Sequence, residues 1–66
     1  MRALTLEERK KVVTEELKYL MDSCAEGYNG DWDPTGEGRE GFAAMYSGLL
    51  AIARVLGITV RGAKRI

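Results

Sequence analysis

A single charged residue interrupts the longest apolar part of this sequence. Residues 42–60 carry one charge, that of Arg54. On a helical wheel Arg54 shares an arc with small residues, which are Ala43, Ala44, Ser47, Gly48, Ala51 and Val55. A guanidinium among alanines needs water or an anion as partner, and its fork of N–H donors matches two phosphate oxygens. We therefore predict an anion site in which Arg54 binds phosphate, while Ser47 and the backbone around Ala51 add hydrogen bonds. An ion pair between Arg54 and a glutamate of a neighbouring helix, Glu8 or Glu15, explains the same pattern.

Two tyrosines and a second arginine are further candidate ligands. Tyr46 and Tyr19 each place a ring with a polar tip on a helix face, where core packing is the default and stacking on a base is the alternative. Arg39 lies in the GEGREG sequence of residues 36–41, whose backbone could hold a phosphate at a helix start. A flexible connector is the favoured explanation of that motif, and the sequence is too short for a dinucleotide-binding fold.

The sequence argues against a metal, a cofactor and a catalytic site. Asp31, Asp33 and Thr35 resemble the opening of a calcium loop, but the twelfth position is Phe42 instead of a bidentate acid. With no histidine and with Cys24 as the one cysteine, a zinc site of the usual kind is excluded. No histidine or carboxylate pair is placed for acid–base work. We expect a binding protein and not an enzyme.

Composition and charge limit the possible partners. Sixty-six residues make one domain near the lower size limit for a stable core. Disulfides cannot support it, so oligomerisation is the expected support. Ten basic and ten acidic residues cancel, which disfavours duplex DNA as a partner. A lone thiol and the lack of a signal-peptide pattern predict a cytoplasmic protein, in the host cytoplasm if the protein is viral.

Periodicity predicts two helices within a single domain of residues 1–66. Helix one is expected over residues 6–25, opened by a capping box of Thr5 and Glu8. A Gly-rich, acidic loop follows at 26–40, then helix two at 41–56, stopped by Gly57, and a basic tail or short strand at 57–66. The expected buried stripe of helix one comprises Leu6, Val13, Leu17, Leu20, Met21 and Cys24. The predicted fold is an all-α, two-helix antiparallel hairpin.

The second helix indicates that the hairpin is oligomeric. It is apolar on nearly every side, which is typical of a buried helix, and a chain this short cannot cover both of its faces. A membrane span has a similar length, but Arg54, Ser47 and two glycines argue against one. We therefore expect other copies to cover the second face in a homo-oligomer, with Arg54 at or beside the contact between copies.

One stretch of helix two resembles a known family. Residues 44–46 (Ala-Met-Tyr) and 51–54 (Ala-Ile-Ala-Arg) are similar to the end of the second helix in phage helical-hairpin proteins that act as nucleotide sponges. Those proteins block CBASS and Thoeris immunity by sequestering the cyclic signal molecule. The resemblance implies a symmetric homo-oligomer, often a hexamer, that binds a cyclic nucleotide between subunits without cleaving it. It also implies that Arg54 and its alanine neighbours contact phosphate.

Two functions from different classes are therefore expected. The first is sequestration of an anionic cyclic nucleotide, an anti-defence role in a phage. The alternative is a small helical protein-interaction module that inhibits or regulates a host protein through its small-residue face and acidic loop. A calcium-responsive helix–loop–helix is a third, weaker interpretation.

Overall fold

The structure is a computed structural model that describes residues 3–66. It contains two α-helices, α1 (Leu6–Tyr28) and α2 (Arg39–Leu56), and no strand within that range. Leu6 and Leu56 lie in one depression, and Gly27 lies beneath Phe42, so the helices run antiparallel. The predicted helical hairpin is confirmed. Its helices are longer than predicted, since α1 continues three residues past residue 25 and α2 begins two residues before residue 41.

The capping box at the start of α1 is formed as predicted. The Thr5 hydroxyl accepts a hydrogen bond from the Glu8 N–H at 3.1 Å, and the Glu8 carboxylate accepts one from the Thr5 N–H at 3.0 Å. Each side chain thereby satisfies a backbone donor that has no partner inside the helix. This cap defines where α1 begins.

Gly57 ends α2 and turns the chain back along the hairpin. It adopts φ 68°, in the left-handed region where a side chain is costly. Its N–H donates to the Arg54 carbonyl at 3.1 Å, and the Ile58 N–H donates to the Ala53 carbonyl at 2.9 Å. This pair of bonds is the Schellman motif. Residues 58–66 therefore return beside the helices, and they form neither a strand nor a free tail.

The core is small and follows one line of contact. Its buried apolar residues are Leu17, Met21, Cys24, Ala25, Tyr46 and Ala53, and Leu49, Val60 and Ala63 pack partly against it. The Cys24 thiol is buried, and that burial raises its pKa. The expected stripe of α1 is therefore only half right, because Leu6, Val13 and Leu20 are exposed. They lie to one side of the line along which α2 packs.

Two aromatic residues close the loop end of the core. The rings of Trp32 and Phe42 meet edge to face, with centroids 4.7 Å apart, and Trp32 Nε1–H donates to the Ser23 carbonyl at 3.1 Å. Asp33 holds the loop, because its carboxylate accepts bonds from the Thr35 hydroxyl and the Gly38 N–H. Asp33 and Thr35, two residues of the calcium-like motif, thus have a structural role in the loop.

Gly27 is required where the aromatic pair meets α1. A Cβ at this position would lie 2.6 Å from Trp32 Cζ2 and 2.8 Å from Phe42 Cζ. We predict that Gly27→Ala lowers the free energy of unfolding by about 1–3 kcal/mol through overpacking, although alanine is the better helix former. Gly41→Ala is the matched control, since a Cβ there meets nothing within 4 Å. It should raise stability by about 0.5–1 kcal/mol. Urea denaturation followed by circular dichroism measures both changes, and equal effects would contradict the packing role.

Candidate functional site

An exposed apolar groove runs along one side of the hairpin. It is lined by Leu6, Val13 and Leu20 of α1 and by Met45, Gly48, Leu49, Ile52 and Leu56 of α2, and we call it the open groove. Its two parts adjoin on α2, because Ile52 of one and Leu56 of the other are one turn apart and line a shallow depression together with Ala51 and Val55. Leu6 is 80% exposed and Met45 is 57% exposed. A contiguous apolar surface of this kind is typical of an interaction site.

The opposite side of the hairpin is covered by the C-terminal segment. Val60 and Ala63 pack against the core there, and Gly62 lies beside the side chain of Lys18. The two sides of the hairpin therefore differ, although both helices supply apolar residues to each. One side is closed by the segment that contains Val60 and Ala63, whereas Ile58 lines one end of the open groove and the rest of that groove is left open by residues 3–66.

Lys64 holds the C-terminal segment in place through three groups. Its N–H donates to Asp22 Oδ1 at 2.7 Å, its carbonyl accepts from the Tyr46 hydroxyl at 2.6 Å, and its ammonium binds Glu26. Asp22 also pairs with Lys18 at 2.8 Å, four residues earlier on the same face of α1. The hydrogen bond from Lys18, followed by that from the Lys64 backbone, lowers the pKa of Asp22. The bond to Glu26 raises the pKa of Lys64.

Three of the predicted ligand residues share one exposed face of α2. Ser47, Ala51 and Arg54 are all exposed, and their spacing of four and three residues places them on one side of the helix. Arg54 also lies in the last turn of α2, where a cation interacts favourably with the helix dipole. Within one chain, water can solvate its guanidinium. The face therefore offers one cation and one hydroxyl, with small residues around them.

The other three predicted ligand residues lie elsewhere. Tyr46 is buried and its hydroxyl is bonded to Lys64, so its ring serves the core. Tyr19 is exposed on α1, beside Asp22, Ser23 and Trp32. Arg39 stacks over the Tyr28 ring, 4.4 Å from its centroid, at the loop end of the hairpin. One chain therefore brings together only the group around Arg54.

Sequence reasoning missed the two features that shape the surface. It treated Leu6, Val13 and Leu20 as core, although their spacing of seven residues marks them as one row that a second helix can cover. It also left Lys64 without a role. Within residues 3–66, no three side chains of His, Cys, Asp or Glu are grouped as a metal site would need. Neither helix there has the length and hydropathy needed to cross a bilayer.

The Asp22 contacts predict a pH dependence of stability. The folded-state pKa of Asp22 is lowered, so its contribution is complete above the unfolded value of about 3.9 and is lost as pH falls from there through the folded pKa. Asp22→Asn should therefore lower the melting temperature at pH 7, and its difference from wild type should shrink toward pH 2. Glu37→Gln, at an exposed position, is the control. Thermal denaturation from pH 7 to pH 2 measures both, and a constant wild-type minus Asp22→Asn difference would contradict the assignment.

Comparison with known proteins adds no relative. The chain matches no family model, no curated protein and no solved structure. The candidate surface therefore has to be interpreted from its own geometry.

Proposed function

We propose that this protein is a non-enzymatic interaction module that binds a helix of a protein partner in its open groove. One observation carries the proposal, which is the row of exposed apolar side chains that α1 and α2 together contribute to the open groove. An amphipathic helix that docks in a groove uses apolar anchors three, four and seven residues apart. The groove is lined from two antiparallel helices at matching intervals, so it has the shape such a helix needs.

The composition of the groove also favours a protein partner. Only apolar side chains and Gly48 line its central part, around Leu20, Met45 and Ile52. Arg9 and Lys10 lie at its far end, beside Leu6 and Val13. An apolar centre with charge confined to the edge is the usual composition of a protein interface. A purely anionic ligand would find no donor in the centre of this groove.

A designed helix tests the groove directly. The probe is a fluorescent amphipathic peptide with leucines in heptad positions and Glu and Lys elsewhere. We expect its fluorescence anisotropy to rise with wild-type protein at concentrations where that protein is monomeric. Ile52→Glu should weaken binding by about tenfold or more, because the carboxylate would lose water on docking.

Val12→Glu is the matched control for this experiment. Val12 is β-branched and 52% exposed, against 49% for Ile52, and it lies on α1 away from the open groove. The variant should bind the peptide as wild type does. A monomeric wild-type sample that does not bind the peptide would contradict the proposed function, as would equal losses in the two variants.

Sequestration of an anionic cyclic nucleotide by a homo-oligomer is a second candidate function. It is favoured by the shared exposed face of Ser47, Ala51 and Arg54, and by the resemblance of residues 44–54 to phage nucleotide sponges. In this interpretation Arg54 binds phosphate through its paired donors, Ser47 and the Ala51 backbone add hydrogen bonds, and a neighbouring copy completes the pocket. No covalent chemistry follows binding.

Arg54 separates the two candidate functions. If a cyclic nucleotide is the ligand, Arg54→Ala should weaken its binding by about tenfold or more, the loss expected for a charge-assisted hydrogen bond. Native mass spectrometry with a panel of cyclic di- and trinucleotides measures copy number and ligand mass together. Arg61→Ala, at an exposed position of the C-terminal segment, is the control. If wild-type protein retains none of the panel, or if ligand is recovered cleaved, the sponge function is excluded.

A further inference from the structure

We propose that the occupant of the open groove is a second copy of this chain, so that two hairpins pack groove to groove in a four-helix bundle. This inference rests on the proposed function and specifies its partner. In a two-fold symmetric pair the same surface is used by both copies. The open groove meets that requirement, because each hairpin has a groove and also has two amphipathic helices that can occupy the groove of the other copy.

The exposed area of one chain is larger than that of a typical folded monomer of its mass. The protein has a mass of 7.3 kDa and exposes 5129 Å², whereas a folded monomer of that mass exposes about 4,200 Å². The excess is about 900 Å², close to the roughly 800 Å² that each partner buries in a stable interface. The area left uncovered is therefore what one protein interface would bury.

The shape of the chain leads to the same conclusion. Its radius of gyration is 13.6 Å, against about 11 Å for a compact domain of this length. It measures 45 × 24 × 18 Å, as expected for one layer of two helices. Among residues 3–66, no large side chain is fully buried. A second layer on the open groove would give Leu20, Met45 and Ile52 the apolar surroundings that one layer lacks.

The residue spacing suits a second pair of helices. Leu6, Val13 and Leu20 recur every seventh residue on α1, and Met45–Ile52 and Leu49–Leu56 do so on α2. Heptad spacing on both helices is the pattern of four-helix bundles. Gly48 lies among these side chains, where a Cβ would meet nothing within 4 Å. A glycine inside a helix lowers stability, and no contact among residues 3–66 requires a glycine at position 48. Close packing of a helix from a second copy would require one, because a side chain at this position would hold the two helices apart.

The charges do not oppose this pairing. The central part of the groove, from Leu20 to Ile52, is lined without a charged side chain, so docking there would leave no buried ion without a partner. The chain as a whole carries no net charge. Two copies therefore approach each other without overall repulsion.

Sedimentation equilibrium at micromolar concentrations tests the proposal. We expect the mass of two chains for wild type and for Val12→Glu, and the mass of one chain for Ile52→Glu. Gly48→Gln is the second variant. A side chain at this position has open space in one chain, and glutamine is a better helix former than glycine. It should keep full helicity by circular dichroism and still shift the protein toward monomer by at least tenfold in the dissociation constant.

Each outcome bears on a different claim. The second copy is supported as the occupant if Ile52→Glu and Gly48→Gln both break the dimer and Val12→Glu leaves it intact. A wild-type monomer that binds the heptad peptide would overturn the second copy alone and leave the proposed function standing. A monomer that binds no peptide would overturn both. If dimers persist in both Gly48→Gln and Ile52→Glu, the dimer interface lies on another surface and the inference is overturned.

Discussion

Two helices packed side by side bury only the residues along the line where they meet, and this limit governs the whole molecule. The line of contact takes up Leu17, Met21 and Cys24 from α1 and Tyr46 and Ala53 from α2. Apolar residues on either side of this line need another cover. The fold provides that cover on one side only, so the two sides of the hairpin have become chemically different.

The covered side depends on the left-handed turn at Gly57. The Schellman bonds direct residues 58–66 back beside the helices instead of outward, and Lys64 then bonds to Asp22, Glu26 and Tyr46. Surface ion pairs alone contribute little stability. Here backbone hydrogen bonds and the packing of Val60 and Ala63 accompany the ion pair. The hydroxyl of Tyr46 is part of this arrangement, which explains why a tyrosine and not a phenylalanine suits a nearly buried position.

The uncovered side and the Arg54 face are two separate surfaces of α2. The first is apolar and extends onto α1 through Leu20 and Val13. The second carries Arg54, Ser47 and Ala51 on α2 alone. An oligomer that forms through the open groove would leave the Arg54 face accessible, so protein association and anion binding are physically compatible in one molecule. The two surfaces adjoin at Ala51, which lines a shallow depression with Ile52 and Leu56.

The sequence by itself determined the features that depend on local interactions. The Thr5–Glu8 capping box, the stop at Gly57 and the Lys18–Asp22 pair each involve residues within four positions of one another, and all three are present. Periodicity also identified both helices, because apolar residues recur with the helical repeat. The GEGREG sequence of residues 36–41 predicted a loop end two residues too late, since Gly41 is accommodated inside α2 with free space around it.

Only the tertiary structure decided which side of each apolar helix is buried. A wheel shows that Leu6, Val13 and Leu20 lie near Leu17, but it cannot show where the line of contact with α2 falls. At the loop end of the hairpin, Gly27 allows Trp32 and Phe42 to pack close to α1. The long-range bonds of Lys64 were likewise beyond sequence reasoning, because they join residues 18, 38 and 42 positions apart. The local sequence pattern determines where the helices form, whereas tertiary packing determines which face of each helix is buried.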